Sequence, residues 1–417
     1  MAVIPEILDQ HAEEAAFLWL LRDAAATAPH YDARELSDLD ERVEAHLDGL
    51  RIAGEAGWLR CAQELEREEP GEVFVASVLA LESADEGRLE HVLRVAEKGR
   101  SLGRGLVSAL GWVRLSIAQP AIVQLLRSES SERIRLGLRG AAAHRWDPGY
   151  EPTALSSDPT LHAAELRSWA ELGRKDRLHH GLAALDAPDP ELRFWAAWSC
   201  VLLGSLDGLD GLREASRSRA PYATRALETA CRAMPRPDAW EWHAELSGRE
   251  ETQRSAIVVA GILGDADLVP WLVDRTMEPA YGRIAGEALT ALLGWDLTER
   301  PLEGEAPADF SPPPSDDPEE EEVAVDPDEP LPWPNPDALR ERWNDERAGL
   351  PPGTRWLRGN PYSESALRAQ LQDGSQRQRA SAALELALAF QAYPLVETRA
   401  LARRPLTWHG DARRHGS

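Results

Sequence analysis

The chain has 417 residues, 28% charged and 43% hydrophobic, enough apolar material for a long core, and carries a formal net charge of −25. That field repels phosphate and anionic lipid, which argues against a general nucleic-acid or anionic-membrane binder. Cys61, Cys200 and Cys231 form no CxxC pair, so neither a thiol redox motif nor a zinc cluster is supported, and no stretch has the length and apolarity of a membrane span.

Residues 1–68 read as an N-terminal helical capping module. The first residues, MAVIPEILDQ, lack the basic and apolar parts of a signal peptide, so a cytoplasmic chain is expected. Glu6–Ala26 reads as a helix with an apolar cluster at Phe17, Leu18, Leu20 and Leu21. Ser37 is the expected cap of a second helix, and a third spans about Glu55–Glu66.

Residues 69–298 repeat one helix–turn–helix pattern at a period of roughly 30 residues. Its best copy is Asp189–Gly204, DPELRFWAAWSCVLLG, with Asp189 as N-cap, Pro190 at the first helical position and Gly204 as the left-handed stop. Further copies are expected at Gly99–Gly111, Ser130–Trp146, Asp158–Gly173, Ala220–Met234, Glu250–Gly264 and Ala280–Gly294. Second helices are expected at Pro120–Arg127, Leu206–Ser216 and Leu268–Arg275. A helix pair of this kind cannot bury its apolar stripes alone, which points to an all-α, α-solenoid architecture.

Residues 299–336 change character to SPPPSDDPEEEEVAVDPDEPLPWPNP and carry about half of the net negative charge. This composition predicts a disordered acidic linker, extended by proline and self-repulsion. Residues 337–417 are expected to hold helices at Asp337–Ala348, Ser363–Gln372 and Ser375–Phe390, an irregular Pro351–Pro361, and a basic tail.

DPELRFWAAWSCVLLG and Gly264–Val273, GDADLVPWLV, resemble HEAT-like repeats of the short bilin-lyase type. A narrower resemblance rests on AAFLWLLRDAAATAPHY (Ala15–Tyr31), LDERVEAHLDGLRIAGEAGW (Leu39–Trp58) and LQDGSQRQRASAALELAL (Leu371–Leu388). These stretches are similar to a bacterial family of uncharacterised HEAT-repeat proteins often encoded beside type VI secretion genes. The resemblance implies a solenoid, and a partner among secretion spikes, adaptors or effectors.

No G-x-S-x-G elbow, phosphate loop, dinucleotide fingerprint or HExxH occurs, so no catalytic, cofactor-binding or metal-binding residue is assigned and no cofactor is expected. Fifteen tryptophans against five phenylalanines direct attention to aromatic anchors for a protein partner. Trp195, Trp198 and Trp271 in the repeats, Arg193 near a helix start, and Trp333 between two prolines of the acidic segment are the candidate partner-binding residues. The expected function is a non-enzymatic protein–protein scaffold, in its concrete form an adaptor- or chaperone-like accessory of type VI secretion. An immunity or effector-associated protein, and an enzyme using the solenoid groove, stay open as alternatives.

Overall fold

The computed structural model of the chain describes residues 4–152, 157–308, 310, 326–390 and 394–402. Their fold is all-α: twenty α-helices, short 3-10 turns and one two-stranded hairpin. Among the described residues no helix is long and apolar enough to cross a membrane. The chain divides into two compact units, residues 1–211 with 373–417, and residues 212–372.

The first unit begins with α1 (Pro5–Ala25), α2 (Ala33–Ala53) and α3 (Glu55–Glu64). α2 starts earlier than expected because Asp32, rather than Ser37, caps it, in a reciprocal capping box with Glu35. Then follow α4 (Pro70–Ser83), α5 (Glu86–Ala96), α6 (Arg100–Trp112), α7 (Leu115–Leu126), α8 (Ser131–Ala143), α9 (Pro159–Glu171), α10 (Leu178–Ala183) and α11 (Pro190–Leu202). α7 starts five residues before Pro120, which lies inside the helix instead of opening it.

Within this unit α1, α4, α6, α8, α9 and α11 pack as a row, each on the next. α6 can approach α4 closely only because residue 105 is glycine: a Cβ there would stand 2.3 Å from the Pro70 carbonyl. α11 ends as the sequence implies. Gly204 has φ +101°, and the Ser205 and Gly204 amides donate to the Cys200 and Val201 carbonyls at 2.8 and 3.1 Å. In α8 the left-handed position after the helix is filled by Arg145 at φ +51°. The expected stop at Gly111 is different again: α6 runs on through it to Trp112.

The second unit holds α13 (Ala223–Ala233), α14 (Arg236–Ser247), α15 (Gln253–Leu263), α16 (Val269–Arg275), α17 (Gly282–Leu293), α18 (Pro336–Glu346) and most of α19 (Glu364–Asp373), while α12 (Leu209–Ser216) spans the division. α13, α15 and α17 again form a row. The stretch expected to be irregular at 351–361 contains the hairpin β1 (Trp356–Leu357) and β2 (Asn360–Pro361). Its amides take up carbonyls left open at helix ends: Trp356 donates to Gly264, Arg358 to Ala291 and Gly359 to Leu292, at 2.7–2.9 Å.

The segment expected as a disordered linker is ordered at both ends, while residues 311–325 lie outside the described part. Gly304 donates to the Trp333 carbonyl and Asn335 to the Leu302 carbonyl, at 2.7 and 2.8 Å. Asp328 pairs through both oxygens with Arg254 at 2.6 Å, and Asp326 with Arg283. Opposite charge within the same unit overrides the self-repulsion on which the linker expectation rested.

The residues after 337 are likewise not one segment. α18 packs on α16 in the second unit, whereas α20 (Gln376–Ala389) belongs to the first. There Gln376 donates its amide to the Tyr31 carbonyl at 2.6 Å. Arg22 and Asp40, 4% and 1% exposed and paired at 2.8 Å, hold residues 399–402. Arg22 donates to the carbonyls of Arg399 and Ala400 at 2.7 and 2.9 Å, and Asp40 accepts the Ala402 amide at 2.7 Å. Removing one partner of such a pair strands a buried charge. Asp40→Ala is therefore expected to destabilise the first unit by about 3–5 kcal/mol. It should also expose residues 394–402 to limited proteolysis, read by mass spectrometry of the fragments.

Candidate functional site

Three helices that neighbour one another in the packed row of the first unit, α6, α8 and α9, each carry arginine on the same stripe. Arg100 and Arg104 stand four apart on α6, Arg135 and Arg139 four apart on α8, and Arg167 lies on α9. Like charges at this spacing disfavour an isolated helix by roughly 0.2–0.5 kcal/mol per pair, so packing and outside acids must hold them. Together with Glu191 and Trp195 of α11 they line a groove of about 250 Å³. Between the arginines the wall is small or short, with Gly103, Thr160, Ala163 and Ala164.

The electrostatics are specific. Arg100 reaches from α6 to α11 and grips Glu191 through two bonds, at 3.1 and 3.0 Å. Arg104 pairs with Asp23 at 2.6 Å and lies over the Trp19 ring. Arg135 is bonded to Glu132 one turn earlier. Arg167 donates to Glu171 at 2.8 Å and stacks 4.4 Å from the centre of the Trp195 ring, a cation–π arrangement. Burial alone would raise the Glu171 carboxyl, but the guanidiniums of Arg167, Arg145 and Arg139 outweigh it and bring it down to about 2. The groove arginines thus already keep one buried carboxylate ionised.

The five sequence candidates separate in the structure. Trp195, 8% exposed, lines the groove. Trp198 is buried beneath it, edge-on at 5.4 Å. Arg193 donates to the carbonyls of Ala187 and Pro188 at 2.8 and 3.0 Å, and so fixes the turn before its own helix. In the second unit Trp271 packs against His243 and Arg275. Burial pushes that histidine down to about 4. Trp333 is half-buried against Phe310 and 4.6 Å from Arg283, and its carbonyl accepts the Gly304 amide within the same unit. The arginine stripe is not among the sequence candidates, although its signal, arginines four apart on α6 and again on α8, is present in the sequence.

Compared with known proteins, the chain matches no family model, no curated protein and no solved structure.

The depressed carboxyl of Glu171 has a consequence for acid stability. Its folded value lies below the ordinary unfolded value near 4.3, so its contribution is full above pH ~4.5 and is lost as pH falls towards 2. On the order of 3 kcal/mol is at stake. Glu171→Gln should flatten the pH dependence of the urea midpoint between about pH 5 and 2, while leaving the dependence above pH 5 unchanged.

Proposed function

We propose that the chain is a non-enzymatic protein-binding scaffold, an α-solenoid of HEAT-like repeats that acts in the cytoplasm. One observation carries the reading. The same helical stripe on four successive first helices, α6, α8, α9 and α11, faces a single groove and furnishes it with guanidinium groups and an indole. Arginine and tryptophan are the side chains that most often anchor protein interfaces, because both combine large contact area with directed polar groups. The row-on-row packing of first helices supports the repeat reading, since each helix is completed by its neighbours.

The concrete form, an adaptor- or chaperone-like accessory of type VI secretion, rests on the resemblance of Ala15–Tyr31, Leu39–Trp58 and Leu371–Leu388 to the HEAT-repeat family described above. It is tested by co-expressing the full chain with each product of the neighbouring genes and following the mixtures by size-exclusion chromatography. A spike, adaptor or effector that co-elutes at fixed stoichiometry, and is lost with Arg104→Ala/Arg135→Ala, is expected. Separate elution of every neighbouring product would sink the scaffold reading.

A further inference from the structure

We propose that the groove takes a carboxylate-rich segment of a partner protein, which enters by displacing Glu191 from Arg100. The inference rests on the scaffold reading and adds the chemistry of what is bound. Glu191 and Arg100 are ninety-one residues apart in sequence and meet across the groove in a two-bond fork, the geometry by which guanidinium recognises carboxylate. Their side chains are 36% and 64% exposed. Ion pairs this exposed contribute little net stability, so exchanging Glu191 for another carboxylate costs little. Glu191 is the chain's own occupant of the first subsite.

Beside this clasp lies a second arginine–carboxylate pairing. Arg167, which lines the groove, converges with Arg145 on Glu171 outside the lining and keeps it charged although it is buried. Trp195 supplies an apolar wall, and Ala163 and Ala164 a floor without competing polar groups. At about 250 Å³ the groove has room for a few side chains. It falls below the roughly 300–1,000 Å³ of sites that enclose drug-sized molecules. A nucleic-acid strand would continue beyond the groove into the field of a chain with net charge −25. A peptide can confine its acids to the few residues that meet the arginines.

The test is a titration of the full-length chain into a fluorescently labelled deca-glutamate peptide, read by anisotropy, with a dT10 oligonucleotide as the phosphate counterpart. Saturable peptide binding is expected, weakened about tenfold by Arg104→Ala. That variant leaves Asp23 its second partner, Arg399 at 2.6 Å, and thermal melting checks its fold. Glu191→Gln should tighten binding by about threefold to tenfold, and the gain should vanish in Arg100→Ala/Glu191→Gln.

A gain that survives removal of Arg100 would show that Glu191 only repels the ligand, and would overturn the clasp. Binding of dT10 equal to that of the peptide would overturn the assignment to carboxylate, as would failure of the folded wild type to bind the peptide. The scaffold reading fails separately. A neighbouring gene product that co-elutes but is not displaced by the peptide overturns only the groove chemistry. Peptide binding that follows the cycle, with no co-eluting product, supports the groove and removes the scaffold reading.

Discussion

A pair of helices joined by a short turn has more apolar surface than the two can cover between themselves. In α11 ten of thirteen residues are buried, on every side of the helix, including Phe194, Trp195, Trp198 and Val201. No single partner helix could do that; α9, α10 and α20 share the task. The same need drives the close approach of α6 to α4 at Gly105. Because first helices lie against first helices, their remaining faces line up, and a stripe repeated in sequence becomes a continuous wall. The groove follows from the packing.

That alignment also explains how the chain tolerates five arginines in one place. Four of the guanidiniums are paired with an acid from another helix or one turn away: Asp23 from α1, Glu191 from α11, Glu132 and Glu171 along their own helices; the fifth, Arg139, acts on Glu171 through its charge. A protein with a large negative total charge therefore carries a locally basic surface, which summed charge hides. A long polyanion meets the repulsion of the whole chain, whereas a short acidic segment meets only the local field of the arginines.

The helices and their stops were legible wherever local chemistry decides them. Asp189 caps α11, accepting the Leu192 amide at 2.8 Å, and Gly173, Gly204, Gly264 and Gly294 all take positive φ after their helices. Legibility failed where a distant partner decides. Arg145 takes a position that glycine fills elsewhere, and its head pairs with Glu171 and Glu397. Arg358-Gly359 turns a hairpin without the usual Asn-Gly, because amides there are captured by the end of α17. The ends of the acidic segment are read as solvated until Arg254 and Arg283 are known to face them. At the groove, tryptophan abundance drew attention to residues that mostly fill cores, and only Trp195 reached the shared face.

The seating of residues 399–402 on Arg22 and Asp40 has a bearing on biosynthesis. The first unit is discontinuous, with residues 212–372 set between its two portions. During translation Arg22 and Asp40 leave the ribosome early, while the carbonyls and amide that complete their network are made hundreds of residues later. The second unit, continuous in sequence, can finish folding while the first still lacks its closing strand of chain. Completion of the first unit thus reports that synthesis has passed residue 402, and a truncated product would leave a charged pair without its intended partners.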